Sequence, residues 1–148
     1  MSQETVDKNT DRTPVVTASE SSWRCVQSGD GDGWLALMAD DIMIEDPIGD
    51  AFTNPGGTGV RGKEAVAAFY DANIGPNKLT VTREETFPSS SSTEIAYILV
   101  LRTEFPNGMV ATVRGAFTYK VNDAGLITNL RGYWNMDAMQ FTEPDKKD

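Results

Sequence analysis

A chain of 148 residues with 22 acidic against 13 basic side chains, a net charge of -9 and no histidine is long enough for one well-filled core and short for two. Its acidic balance excludes nucleic acid and other polyanions, which are gripped by lysine and arginine. The missing histidine removes Ser-His-Asp and Cys-His nucleophilic catalysis, the usual zinc sites and any imidazole base, so proton chemistry falls to carboxylates, tyrosines or lysines.

Cys25, the single cysteine, has no partner for an internal disulfide, and no charged, apolar and small-residue leader opens the sequence. The expected compartment is a reducing cytoplasm. No apolar run approaches the roughly 18 residues of a membrane span, so no membrane partner is expected.

Residues 1–15, MSQETVDKNTDRTPV, are polar and aperiodic and are expected to form a disordered leader to a single domain over 16–142, with 143–148 as a polar tail. Thr17 and Glu20 form a capping-box pattern, and Trp23 and Val26 share a face, which predicts a first helix running to Ser28. The run GDGDG breaks it. A second short helix follows in WLALMAD, with Trp34, Leu37 and Met38 on one stripe and Asp40-Asp41 ending it.

The stretch DIMIED then alternates with a period of two, putting Ile42, Ile44 and Asp46 on one face and Met43 and Glu45 on the other, until Pro47 stops the ladder. A glycine-rich loop, GDAFTNPGGTGVRG, leads to a third helix in KEAVAAFYDANI, whose spacing aligns Val66, Phe69, Tyr70 and Ile74. From Lys78 onward the chain reads as strands: KLTVTREET, EIAYILVLRTEF, MVATVRGAFTYKV and LITNLRGYW, the last three joined by the turns PNG and NDAG. PSSSST, residues 88–93, is an ordinary connecting loop. The expected fold is α+β: three N-terminal helices packed in a curved antiparallel sheet, a cone-shaped half-barrel with an apolar pocket at its open end.

If Ile42 and Ile44 face that interior, period two sends Asp46 there as well. A poorly solvated carboxylate has a raised pKa and becomes a stronger base. The competing reading is plain: Asp-Pro pairs commonly cap turns.

The segment GDGDGWLALMADDIMIEDPIG, continued by RGKEAVAAFY, resembles the N-terminal half of the Δ5-3-ketosteroid isomerases. In that family a helix, a Gly-Asp-x-Asp-Gly turn, an apolar helix ending in Ala-Asp-Asp and a Glu-Asp-Pro-Val-Gly strand end follow one another at this spacing. The likeness covers residues 18–74 and reaches the later strands through the turn at Asn122 to Gly125 and the closing aromatic strand. It implies the nuclear transport factor 2-like, or SnoaL-like, cone and a steroid Δ-isomerase of lipid metabolism that needs no cofactor. It also implies that Asp46 is the base that carries a proton from C4 to C6 of a 3-oxo-Δ5-steroid, the family being a known case of carboxyl groups tuned by an apolar site.

The resemblance places the family's tyrosine donor at Ser22 and its protonated aspartate donor at Phe117, so both oxyanion donors are replaced. Tyr70 and then Tyr119 are the candidate substitutes, each with the alternative of an ordinary core tyrosine. Trp134 is expected beside Asp46, and Leu37, Met38, Phe69, Phe117 and Leu130 are candidate pocket walls.

Alternation of Tyr97, Leu99 and Leu101 with Ile98 and Val100 makes one strand apolar on both faces, which predicts a homodimer across the sheet. Two other functions fit the same cone. One is a carrier for steroids or other hydrophobic ligands that has lost its donors; the other is a limonene-epoxide-hydrolase-like enzyme using Arg114 or Arg131, though period two puts Arg114 opposite Phe117 and Tyr119.

Overall fold

The computed structural model describes residues 13–143. Helix α1 spans Pro14–Ser28, α2 Gly31–Ala36 and α3 Lys63–Asn73; the strands are β1 Met38–Glu45, β2 Val60–Arg61, β3 Lys78–Pro88, β4 Glu94–Glu104, β5 Val110–Val121, β6 Ile127–Tyr133 and β7 Gln140–Thr142. Residues 1–12 of the expected leader and 144–148 of the expected tail lie outside the described residues.

The first helix starts earlier than its capping-box pattern suggests. Thr13 is the N-cap, its side chain accepting from the Val16 N–H, and Pro14 occupies the first turn, where its missing N–H is harmless. Thr17 therefore lies inside the helix, and Val15, 1% exposed, is core rather than leader. Gly29 closes α1 in the left-handed conformation, φ 75°, with its N–H on the Cys25 carbonyl.

The second helix is shorter than expected. Asp30 caps it by accepting from the Gly33 N–H at 2.9 Å, but it ends at Ala36 and the chain enters β1 at Met38. Pairing of Met38 with Ile127 and a 2.8 Å hydrogen bond from the Ile127 N–H to the Leu37 carbonyl override the helical spacing of Leu37 and Met38.

The seven strands form one curved, unclosed sheet in the order β2-β1-β6-β5-β4-β3, with β7 pairing the start of β5. It is mixed, not wholly antiparallel: β1 joins β6 in parallel. The meander β3-β4-β5-β6 is antiparallel throughout, and its inner face is capped by the helices. Ile42, Ile44, Val66, Tyr97 and Ile127, all completely buried, anchor the shared core; truncating such an aliphatic to alanine costs about 2–5 kcal/mol. Among the described residues no helix is long and apolar enough to cross a membrane.

Candidate active site

Asp46 follows directly on β1, one step past the fully buried Ile42 and Ile44 on the same alternating face. The loop behind it is held from several sides. The Ile48 N–H donates to the Gly132 carbonyl at 2.9 Å, and the Thr53 hydroxyl donates to the Asp46 carbonyl. Asn54, 1% exposed, donates its amide to the Pro47 carbonyl at 3.0 Å and accepts from the Gly59 N–H at 2.9 Å. A carboxylate on so constrained a backbone keeps its aim without help from its own rotamer.

The Trp134 indole N–H donates to Asp46 Oδ1 at 2.7 Å. Trp134 comes just after β6, and a short strand, β7, follows it, so it is not part of a last strand. Gly132 makes room for the pair. A Cβ there would sit 3.0 Å from Asp46 Oδ1, 3.0 Å from Trp134 Nε1 and 2.8 Å from the Phe117 ring. Burial pushes the Asp46 carboxyl from 3.8 up to about 6, and the Trp134 hydrogen bond works against that rise. The carboxyl group is packed among protein atoms, while the residue keeps partial exposure toward the adjoining cavities.

Two cavities meet at Asp46. An inner chamber of about 60 Å³ is lined by Trp23, Trp34, Phe117, Tyr119 and Leu130. An outer one of about 350 Å³ runs past Trp134 to Asn73, Asn77, Phe105 and Met139. Phe69 belongs to both. Together they are predominantly apolar with a few polar groups converging on one acid, the composition expected of a small-ligand site.

The tyrosines separate. Tyr119, 5% exposed, reaches the inner chamber, and its hydroxyl oxygen accepts the Trp23 indole N–H at 2.9 Å. That leaves its single phenolic proton for an acceptor, and Ser22 is the hydrogen-bonding side chain nearest to hand besides Trp23. Burial pushes its pKa upward, the Trp23 bond opposes this and the Asp46 charge adds to it, so it remains a neutral donor at any ordinary pH. Tyr70 instead packs its ring 5.3 Å from that of Trp34 and directs its edge at Gly31, and it lines neither chamber. Of the two, Tyr119 reaches the chamber and Tyr70 does not. Helical spacing puts Tyr70 inward, but inward at that turn means toward α2.

Ser22 lines the inner chamber with its hydroxyl proton committed to the Ser19 carbonyl at 2.7 Å, and Phe117 has no proton to give. Leu37 and Met38, expected as walls, pack into the core without lining either chamber, because β1 begins where their helix was expected to continue. Sequence reasoning missed Trp23, Asn73 and Asn77 as cavity residues. Trp23 was legible only as a helix-face residue, and the asparagines follow the apolar stripe at the end of α3.

Arg114 pairs with Glu84 at 2.7 Å and Arg131 with Glu45 at 2.8 Å. Neither arginine lines a cavity with Asp46, so the Asp-Arg constellation of an epoxide hydrolase is not assembled here.

A curved sheet closed by helices over an apolar cavity, with one raised carboxyl at its centre, defines a cone-fold protein of the SnoaL-like class; the SnoaL-like domain matches residues 20–130, and the chain belongs to that family. Within it, the company is that of the ketosteroid isomerases. The chain is similar to a Δ5-3-ketosteroid isomerase from Mycobacterium sp., at 80% identity over 88% of this chain and 99% of that one, with a TM-score of 0.87. It is also similar to RV0760c of Mycobacterium tuberculosis, solved in complex with estradiol-17beta-hemisuccinate, at 65% identity over 88% of this chain and 100% of that one, TM-score 0.86. A computationally designed 17-OHP binder shares 59% identity over 89% of this chain and 99% of its own, TM-score 0.87.

Proposed function

We propose that the protein is a cofactor-independent steroid Δ-isomerase acting on 3-oxo-Δ5-steroids. The observation that carries the reading is Asp46: a carboxyl raised to about 6, hydrogen-bonded by Trp134, at the meeting point of two apolar cavities. Such a group is ionised at neutral pH yet basic enough to take a proton activated by a neighbouring carbonyl.

With the 3-oxo end in the inner chamber, the Asp46 carboxylate removes a proton from C4 and the electrons pass to the C3 oxygen as a dienolate. Tyr119 donates its phenolic hydrogen bond to that oxygen while keeping its proton. The Asp46 carboxylic acid then delivers the same proton to C6 as the dienolate collapses into the conjugated enone. Proton and charge both return to their starting places, so no other reactant enters.

The test is absorbance at the conjugated enone band after mixing an unconjugated 3-oxo-Δ5-steroid with the protein and with Asp46→Asn. Product is expected only from the unaltered chain, with binding retained in both. Equal rates would remove Asp46 from the reaction. The replacement of both family donors by Ser22 and Phe117 favours a second reading, a steroid carrier, and binding with no turnover in either protein would establish it.

The reading extends to a cytoplasmic homodimer. Cys25 is free, in keeping with a reducing compartment. Ile98 and Val100 stand on the outer sheet face opposite the buried Tyr97 and Leu99, with Phe87 and Tyr133 about half exposed beside them. A second copy would cover this patch. Sedimentation at micromolar concentration should give twice the chain mass, and Ile98→Glu should return it to the monomer.

A further inference from the structure

We propose that Asn73 and Asn77 form a polar subsite at the outer end of the cavity that selects steroid-sized ligands bearing a hydroxyl group at the end remote from the reacting carbonyl. This rests on the proposed function for the orientation of the ligand, with its carbonyl end inside.

Both asparagines line the outer chamber that Asp46 and Trp134 also line. Their side chains are oriented by the end of α3. Asn73 Nδ2 donates to the Phe69 carbonyl at 3.2 Å, and Asn77 Nδ2 donates to the Asn73 carbonyl at 2.9 Å. Carbonyl oxygens can only accept, and that of Asn73, in the last turn of α3, also lacks a partner within the helix. Each amide must therefore turn its NH₂ group to the helix, which settles which end is oxygen. Neither Oδ1 takes part in a hydrogen bond within the described protein.

The rest of the chamber's lining is mostly apolar and includes Phe52, Phe105 and Met139. A ligand that fills the outer chamber thus meets two fixed acceptors in a greasy surround. Its hydroxyl can donate to an Oδ1 and also accept from a remaining amide N–H; a ketone can do only the second. Burying an Oδ1 under a group with no proton to donate leaves that oxygen unsatisfied, and this is the basis of discrimination. Asp46 separates this subsite from the inner chamber of about 60 Å³, which has room for the end of one ring only. The far end of a four-ring ligand therefore has to occupy the outer chamber.

Equilibrium binding of testosterone and 4-androstene-3,17-dione, which share the conjugated 3-oxo ring and differ only in a 17-hydroxyl against a 17-ketone, tests this without any turnover. The hydroxyl ligand is expected to bind roughly three- to tenfold more tightly, the range of one net hydrogen bond. Asn73→Leu and Asn77→Leu, combined, should bring the ratio close to one. Equal affinity of the unaltered protein for the two ligands would overturn the subsite, whatever the variants do, and leave the proposed function standing. Binding of neither would sink the steroid reading itself and the subsite with it.

Discussion

Burial of the Asp46 carboxyl comes at the expense of stability, and Asp46→Asn measures by how much. Burial raises the carboxyl from 3.8 to about 6, so between those values the folded chain holds a proton that the unfolded chain has already released. Stability then falls as pH rises through that window. At about 1.4 kcal/mol per pH unit, the ionised carboxylate destabilises the fold by about 3 kcal/mol above pH 6 relative to a solvated one. Asparagine keeps the shape and can still accept the Trp134 N–H, but never acquires the charge. The variant should match the unaltered protein near pH 4 and exceed it by about 3 kcal/mol at pH 7.5, or about 6–12 °C in Tm for a domain of this size. Paired thermal melts at the two pH values give the difference directly, since every other titrating group cancels between the proteins. A pH-independent offset would show only that asparagine packs better or worse. No gain at pH 7.5 would mean that the folded carboxyl is not raised, and the argument for a desolvated base would fail.

The rate of enone formation should rise tenfold per pH unit below about pH 6 and level off above it, because only the ionised carboxyl can take the C4 proton. Trp134→Phe removes the hydrogen bond that holds the pKa down, so the midpoint of that profile should move to higher pH; a midpoint that stays or falls would contradict the electrostatic role. Tyr119→Phe should lower kcat roughly 100- to 1000-fold, the cost of one oxyanion donor, whereas Tyr70→Phe should stay within a few-fold; the reverse ranking, in steady-state kinetics, would return the donor role to Tyr70. Gly132→Ala forces a methyl to 2.8 Å from the Phe117 ring and 3.0 Å from Asp46 Oδ1, and should reduce turnover while a melt confirms folding; unchanged activity would show that the Asp46–Trp134 contact tolerates displacement.

What the sequence made legible follows its local periodicities. Period two in DIMIED located Asp46 on the face of Ile42 and Ile44, and the turns PNG and NDAG marked the meander, because alternation and turn chemistry are properties of neighbouring residues. The parallel seam between β1 and β6 was not legible, since it joins Met43 to Asn129 across the chain. Nor was the end of α2 at Ala36: Leu37 and Met38 carry a helical spacing, and only their partner Ile127 decides otherwise. Tyr70 shows the limit for side chains. A helical stripe says which residues face inward but not what they meet, and here the interior at that turn holds Trp34, not the cavity.

At the family's donor positions stand Ser22, its proton given to the Ser19 carbonyl, and Phe117, yet the inner chamber holds the Tyr119 hydroxyl, and Trp23 governs where its proton points. Were Trp23 unable to donate, the Tyr119 oxygen would be left buried with an unmet acceptor, and Ser22 would be its remaining hydrogen-bonding side chain. The indole N–H fixes the oxygen from behind and, by drawing on its lone pair, makes the phenolic hydrogen a better donor. Arg83 sits over the Trp23 ring, 5.5 Å from its centroid, and pairs with Glu20 at 3.0 Å, which steadies the indole from outside. Trp23→Phe should therefore lower kcat about fivefold, the worth of roughly one net hydrogen bond, with binding of the steroid little changed. The decisive comparison is the double variant. If Trp23 acts through the tyrosine, Trp23→Phe added to Tyr119→Phe should have no further effect on kcat, since the proton it orients is already gone. Full additivity of the two losses would mean that Trp23 supports the pocket by packing alone, and that the donor stands in its place without it.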